Sequence, residues 1–201
     1  MNDAITSSDK QTLIDFINST DKYTNGKKVA EFEKAWSDWL GCKNSLFVSS
    51  GSTANFLLLA AVKELYNIPD GSRVLVPACT WVTNVAPVFQ VGLEPVFVDI
   101  DFETFSFDVS KLPDEDIKIV FITHLLGLNA PVEALKEKYP NALFLEDICE
   151  SHGLKGPDGT KRGCGTGSTF SREIFWDFKI DFFSSGPLTS TNKGRHKSYT
   201  G

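Results

Sequence analysis

Five short apolar runs separated by amphipathic segments limit the fold of this chain more than any other feature. Each run has the length and composition of a buried strand, and the segments between them place apolar residues at helical spacing. The predicted strands lie at residues 45–50, 73–78, 95–100, 117–124 and 142–147, and the predicted helices at 28–40, 56–66, 84–92 and 131–139. Strands that alternate with helices over short connections indicate a mostly parallel sheet covered on both faces. The sequence therefore predicts an α/β protein built as a three-layer α/β/α sandwich.

Composition and charge fit one folded domain. The chain has 201 residues, of which 41% are hydrophobic and 23% charged, which is typical of globular proteins. A net charge of -6 argues against nucleic acid or an anionic membrane as the partner, since both reward clustered Lys and Arg. The first residues lack the basic and apolar parts of a secretory signal, and no apolar run is long enough to span a bilayer, so we expect a cytoplasmic protein. The four cysteines form no CxxC pair, and we expect reduced, mostly buried thiols.

A turn rich in Ser and Gly, SSGSTAN, lies between the first predicted strand and the helix after it. In parallel sheets, ligands collect beyond the carboxyl ends of the strands, where Gly51 stands. Free N–H groups and the positive end of a helix macrodipole favour a bound phosphate at such a turn. The same pattern is equally typical of a helix cap without a ligand, and the turn alone does not separate the two interpretations.

Two further strand ends carry residues that suit a planar cofactor. Trp81 follows the strand at 73–78 and could stack on a heterocycle, although a partly buried core Trp has the same sequence pattern. Asp147 ends a strongly apolar strand, so its carboxylate needs a cationic or N–H partner. That partner is either a helix N-terminus or an arginine of the protein, or the protonated ring nitrogen of a pyridoxal phosphate.

Two other kinds of site fit the sequence poorly. His124 and His152 could bind a metal with Asp147 or Glu150, but their spacing is irregular. A Rossmann dinucleotide site is disfavoured because no GxGxxG follows a strand, and the turn at Gly51 has one glycine.

The order and spacing of several segments give a more specific signal. These are YTNGKKVAEFEKAWSDWLG, FVSSGSTAN, VLVPACTWVTNVAPVFQVGLEPVFVDID, THLLGL and FLEDICESHG, within roughly residues 20–171. Together they resemble the N-terminal part of the DegT/DnrJ/EryC1/StrS family, the enzymes dependent on pyridoxal 5'-phosphate (PLP) that aminate or dehydrate nucleotide sugars. The resemblance implies the large domain of a fold type I aminotransferase.

The resemblance assigns cofactor contacts to several of these residues. Ser52 and Thr53 match the phosphate-binding turn, and Trp81 matches the aromatic that stacks on the pyridine ring. Asp147 matches the acid that keeps the ring nitrogen protonated. Glu150 stands where the aminotransferases usually have a Gln beside the cofactor. A further serine, Ser171, matches a hydroxyl that contacts the phosphate.

The resemblance breaks down where the catalytic base is expected. Family members carry a lysine, or a histidine in the dehydratases, five residues after the serine that matches Ser171, but Trp176 stands at that position. The nearest lysine, Lys179, comes three residues later. A local insertion, a cofactor-binding protein without a base, and a shift of reading frame near codon 171 would each explain this. We favour the frameshift because the family pattern also stops there.

The expected organisation follows from this departure. Residues 1–171 form an incomplete PLP-binding large domain, 172–201 form an atypical tail, and the small C-terminal domain of the family is absent, so that the chain is a truncated form. The intact family implies a homodimer.

The resemblance also implies an activity. The expected function is a PLP-dependent step on a nucleotide-linked 4-keto-6-deoxyhexose, for the deoxy and amino sugars of surface polysaccharides. WVTNVAP and EDICESHG resemble the 3-dehydratase branch more than the aminotransferase branch. The alternatives to an aminotransferase are this 3-dehydratase branch and a catalytically silent module that binds the cofactor or the sugar nucleotide.

Overall fold

A computed structural model of the chain describes residues 5–163 and the backbone of two later strands, 170–175 and 180–185. The helices are α1 (Ser7–Ser19), α2 (Lys27–Leu40), α3 (Gly51–Leu65), α4 (Val82–Gln90) and α5 (Val132–Lys138). The strands are β1 (Asn44–Val48), β2 (Arg73–Pro77), β3 (Glu94–Val98), β4 (Ile100–Asp101), β5 (Ser106–Phe107), β6 (Ile117–Thr123), β7 (Leu143–Asp147), β8 (Phe170–Phe175) and β9 (Ile180–Ser185).

Seven of these strands form one sheet in the order β1-β9-β8-β7-β6-β2-β3. The neighbours from β8 to β3 all run parallel, whereas β9 is antiparallel to both β8 and β1. The remaining two strands, β4 and β5, form a separate antiparallel pair. The predicted mostly parallel sheet is therefore confirmed.

The central strands bury both of their faces. Val74 and Val76 of β2 pack with α3 and α4 on one face of the sheet, while Leu75 between them packs with α5 on the other. Successive strand residues point to opposite faces, so a continuous apolar run needs helices on both sides. The two clusters fill the two interfaces between the sheet and the helix layers of an α/β/α sandwich, as the apolar runs predict.

Helix boundaries follow local signals. Gly41 ends α2 in the left-handed region at φ 87° and donates its N–H to the Ser37 carbonyl, as a C-terminal glycine is expected to do. Ser50 caps α3, whose first turn starts at Gly51, several residues earlier than the predicted helix at 56–66. The turn SSGSTAN is therefore itself the start of a helix.

Helix α1 is absent from the sequence-based prediction. No residue of α1 is buried, although Leu13, Ile14 and Ile17 stand at helical spacing and form an exposed apolar stripe. A second sequence signal is a capping box, in which Thr6 and Asp9 bond each other's backbone N–H groups.

The predicted boundary after Ser171 falls inside β8, which pairs with β7 on one side and β9 on the other. Backbone pairing in the sheet therefore does not mark this boundary, and the division at residue 171 stays a prediction. Trp176 and Lys179 lie outside the described residues.

Candidate functional site

The carboxyl ends of β2, β6 and β7 lie side by side and carry polar residues. The Thr80 hydroxyl, just beyond β2, lies 2.7 Å from the Thr123 hydroxyl at the end of β6. Thr123 is in turn the register partner of Asp147, and the His124 N–H donates to the Asp147 carbonyl at 2.9 Å. The predicted cluster of strand ends is thus one continuous edge.

The start of α3 presents hydrogen-bond donors at this edge. Ser50 Oγ accepts the Thr53 N–H at 3.2 Å, and the Thr53 hydroxyl lies 2.9 Å from Ser50 Oγ. Ser52 is exposed, and within residues 5–163 the N–H groups of Gly51 and Ser52 have no acceptor. First-turn N–H groups carry the positive end of the helix dipole. The α3 N-terminus can therefore receive an anion.

Trp81 stands between β2 and α4 with 44% of its surface exposed. It is the N-cap residue of α4, and its carbonyl accepts the Asn84 N–H at 2.9 Å. A residue with this exposure is partly buried, so the exposure fits both a partly buried tryptophan and a ring that stacks on a ligand. The exposed part of the ring can stack on a planar group.

Asp147 is completely buried at the end of β7. Its Oδ1 accepts the Cys149 N–H at 3.1 Å, which supplies one partner of the kind that a buried carboxylate requires. The charge of Asp147 also acts on His152: burial lowers the pKa of His152, and the nearby Asp147 opposes that shift.

Glu150 binds a strained loop beyond β6. Its Oε2 accepts the Leu126 N–H at 3.2 Å, and Leu126 has a positive φ of 52°, which is rare for a bulky residue. Ser151 holds the same loop, since its hydroxyl donates to the His124 carbonyl at 2.6 Å and accepts the Gly127 N–H at 3.1 Å. Glu150 therefore shapes the loop beside the site.

A buried amide network is the part of the site that the sequence does not reveal. Asn55 of α3 donates to Asn84 Oδ1 and to the Thr83 carbonyl, both at 2.6 Å. The Asn84 amide donates in turn to the hydroxyls of Thr80 at 2.9 Å and Thr123 at 3.0 Å. The network thus links α3, α4 and two strand ends. The strand-and-helix pattern gave no reason to pair Asn55 with Asn84, since the two stand far apart in the sequence.

Glu146 and His124 form a second buried pair behind this edge. The Glu146 Oε1 atom lies 3.8 Å from His124 Nε2, and Glu146 Oε2 accepts the Gly163 N–H at 2.7 Å. Burial raises the pKa of Glu146, but His124, the Gly163 N–H and the charge of Arg162 outweigh it, so that the pKa is lowered.

A metal site is not formed by the residues that the structure describes, where no group of three or more His, Cys, Asp or Glu residues is arranged to hold an ion.

The cysteines differ from the expectation of mostly buried thiols. Of the three described cysteines, Cys149 is buried, Cys42 is half-buried and Cys79 is exposed.

Ser171 lies in β8, where its register partners are Glu146 and Ser184. Its backbone therefore runs next to the strand that carries Asp147, although its side chain is not among the described atoms. Trp176 and Lys179, which bear on the catalytic base, fall in the part of the chain that is not described.

These features define a class of protein: an α/β/α sandwich with a serine-capped helix start, an exposed aromatic and a buried acid along one edge of its sheet. The chain belongs to the DegT/DnrJ/EryC1/StrS aminotransferase family, whose model matches residues 3–180. The match extends beyond residue 171, where the sequence pattern was expected to end.

Relatives within this family catalyse more than one reaction. The chain is 37% identical to GDP-4-keto-6-deoxy-D-mannose 3-dehydratase of Yersinia pseudotuberculosis, over 80% of this chain and 42% of the relative. It is 31% identical to GDP-perosamine synthase of Caulobacter vibrioides, over 83% of this chain and 44% of the relative.

Solved structures share the fold. A crystal structure of GDP-4-keto-6-deoxymannose-3-dehydratase with a trapped PLP-glutamate geminal diamine superposes with a TM-score of 0.77 at 25% identity, covering 89% of this chain and 49% of that one. The chain thus spans about half the length of the relatives that it matches. Across residues 5–163 and strands β8 and β9, no helix is long and apolar enough to cross a membrane.

Proposed function

We propose that this chain is part of a PLP-dependent enzyme that acts on a nucleotide-linked 4-keto-6-deoxyhexose, in the synthesis of deoxy or amino sugars for surface polysaccharides. The observation that carries the proposal is the fully buried Asp147 carboxylate, on the same sheet edge as the exposed Trp81 ring and the α3 N-terminus. Family membership and the named substrates of the relatives support it.

The described residues fit the cofactor. The open N–H groups at the start of α3, with the hydroxyls of Ser52 and Thr53, suit a phosphate. Trp81 offers an exposed indole for the pyridine ring. Asp147, buried at the end of β7, suits a protonated ring nitrogen, because a buried carboxylate favours a cationic partner. When bound, the cofactor would supply an electron sink for bond cleavage next to the sugar carbonyl.

Each residue has a distinct part in this proposal. Asp147 would hold the proton on the ring nitrogen, and Trp81 would fix the ring plane and exclude water from one face. Glu150 would hold the Leu126 loop beside the ring, through the hydrogen bond to the Leu126 N–H. Ser171, next to Glu146 in the sheet, would add a hydroxyl to the phosphate site.

We propose the dehydratase branch within this family. The segments WVTNVAP and EDICESHG support it, as does the similarity to 3-dehydratases, whereas GDP-perosamine synthase keeps amino transfer open. In a dehydratase the base removes a proton from the sugar so that the neighbouring hydroxyl leaves. Position 176, where this base is expected, holds Trp176, and Lys179 is the nearest lysine.

The organisation of the whole protein is proposed on the same grounds. Residues 1–171 would be the PLP-binding part and 172–201 an atypical segment, and the working form would be a cytoplasmic homodimer. Sequencing the coding DNA across codons 160–201 tests the frameshift. A second frame with Lys or His five codons after Ser171 would support it, whereas an uninterrupted frame would remove it.

The first experiment is a titration of the chain with PLP, followed by the cofactor's absorbance. We expect saturable binding that Asp147→Asn weakens by at least tenfold, since the amide cannot balance a ring cation. Asp99→Asn is the matched control, because Asp99 follows the end of β3 but is exposed and paired with Lys111. An absence of saturable binding to the unaltered chain would overturn the proposal, as would equal binding by Asp147→Asn.

A silent binding module is the second candidate, favoured by the tryptophan at position 176. It predicts that the chain binds a GDP-linked 4-keto-6-deoxyhexose in calorimetry, while nuclear magnetic resonance detects no sugar product in the presence of PLP and glutamate. Product formation would exclude this candidate.

A further inference from the structure

We propose that Asn55, Asn84, Thr80 and Thr123 are positioning residues, which fix Trp81 and the α3 N-terminus in place before any ligand binds. The inference rests on the proposed PLP site and adds to it the group that preorganises it. None of these residues needs to touch the cofactor.

Asn84 holds the segment around Trp81 through both its backbone and its side chain. Its backbone N–H donates to the Trp81 carbonyl at 2.9 Å, while its side-chain amide reaches back to the hydroxyl of Thr80, the residue before Trp81. On the other side, Asn55 donates to the carbonyl of Thr83, two residues after Trp81. The segment that carries the exposed indole is thus held at two backbone carbonyls and one side-chain hydroxyl within four residues, 80–83.

The same network joins the remaining parts of the site. Asn55 lies in the first turns of α3, two residues after Thr53, so its bond to Asn84 couples the proposed phosphate-binding turn to the Trp81 segment. At the other end, Asn84 and Thr80 both contact Thr123, the register partner of Asp147. The three proposed contact regions therefore share one set of buried hydrogen bonds.

Burial makes this network rigid. Asn55, Asn84 and Thr123 are each at most 1% exposed, and hydrogen bonds inside a protein are stronger and mutually reinforcing. Both hydrogens of each amide are used, which fixes the orientation of the two side chains.

Stability alone does not account for the network. Within the described part of the chain, Asn55 Oδ1 is buried without a donor, and a buried unpaired carbonyl oxygen opposes folding. An apolar pair at the α3–α4 contact would avoid that penalty. Polar residues at this contact are explained if function requires a precise placement of Trp81 and α3.

The test uses the full chain labelled with 5-fluorotryptophan, so that Trp81 is observed without cofactor. Loss of one fluorine signal in Trp81→Phe assigns its resonance. Thr123→Val is the main variant, because valine keeps the shape of threonine and removes the hydroxyl. We expect the Trp81 resonance to shift or broaden, while those of Trp36 and Trp39 stay in place, and the Kd for PLP to rise about tenfold, as for one lost hydrogen bond.

Three comparisons distinguish positioning from general destabilisation. Thr123→Ser retains the hydroxyl and should restore both the Trp81 signal and the PLP affinity. Asn84→Ala should displace the Trp81 signal further than Thr123→Val does. Tyr139→Phe removes a hydroxyl that donates to the Pro113 carbonyl at 2.7 Å, on the opposite face of the sheet, and should leave the Trp81 signal unchanged.

The outcomes separate this inference from the proposed function. An unaltered chain that does not bind PLP would overturn the proposed function, and the fluorine spectra would then decide the inference alone. An unmoved Trp81 signal in both Thr123→Val and Asn84→Ala would overturn the inference. An unchanged Kd for PLP in a variant whose Trp81 signal has moved would also overturn it.

Discussion

The two ends of the same parallel strands are built in opposite ways. At the carboxyl end, Thr123, Glu146 and Asp147 are buried and hydrogen-bonded. At the amino end, the polar residues are exposed ion pairs, such as Arg73 with Glu115 at 3.2 Å and Lys118 with Asp116 at 2.9 Å. Arg73 and Lys118 also line an open polar hollow of about 240 Å³.

This difference separates polar groups that buried hydrogen bonds hold in place from charged groups that are exposed to water. An exposed ion pair gains little because water screens it and its side chains remain mobile. A buried polar group must instead keep its partners, because losing one leaves a desolvated atom unpaired. The structure therefore predicts large effects of substitution at the buried polar residues of the carboxyl end and small effects at the exposed ion pairs of the amino end.

The largest effect on stability is expected from Glu146→Ala. This change leaves the buried Gly163 N–H without its acceptor and His124 without the carboxylate that it faces. Removing one partner of a buried pair lowers the free energy of unfolding by about 3 kcal/mol. Urea denaturation measures this change.

Glu146→Gln sharpens the same prediction. It keeps an oxygen that can accept the Gly163 N–H, so it should lose less than Glu146→Ala. Glu94→Ala, at the exposed first residue of β3, is the control and should change little. Equal losses in the two Glu146 variants would show that the Gly163 bond is not what makes Glu146 important.

A smaller effect is expected from Ser50→Ala at the start of α3. The change removes the side-chain oxygen that accepts the Thr53 N–H, and loss of such a cap lowers stability by about 1 kcal/mol. PLP affinity should fall as well, because the first turn of α3 would fray where the phosphate is proposed to bind. Thermal unfolding and the PLP titration measure the two effects, and Ser50→Asp should preserve the cap. A loss of stability with unchanged affinity would separate the cap from the phosphate site.

Acid should weaken the fold in two stages, both from the carboxyl end. The pKa of His152 is lowered by burial, so the folded state favours the neutral ring and its contribution is lost as the pH falls below about 6.5. The pKa of Glu146 is also lowered, and its contribution is lost at more acidic pH, below about 4.5. In thermal unfolding across this range, His152→Gln should flatten the upper stage alone. A pH profile unchanged by His152→Gln would contradict the assignment.

Most of the fold could be predicted because the central strands are apolar on both faces. Residues 117–124 carry this signal most clearly, and β6 occupies nearly the same range. The pattern did not predict β4 and β5, which have two residues each, or α1, which buries no residue. The two-residue strands are too short to show a periodic pattern, whereas α1 has Leu13, Ile14 and Ile17 at helical spacing and could have been predicted from them.

The candidate site likewise contains residues that the sequence predicts and residues that it does not. Asp147 ends one predicted strand and Trp81 comes shortly after another, so the rule for parallel sheets placed them at one edge. Asn55 and Asn84 could not be paired from the sequence, because they meet through the packing of α3 on α4 and no strand end or spacing marks them. The resemblance gave the residues proposed to touch the cofactor, whereas the residues that hold them became visible in the structure.

The smallest effect is expected at the amino end of the sheet. Arg73→Ala and Glu115→Ala each break the same exposed ion pair, in which both side chains are more than a third exposed. Each variant, and the double variant, should stay within about 0.5 kcal/mol of the unaltered chain, with a coupling energy of similar size or less. PLP affinity should be unchanged, since Arg73 lies at the opposite end of β2 from Trp81. A measured coupling above about 1 kcal/mol would break the contrast between the two ends of the sheet, because it would give a solvated pair the energy expected of a buried one.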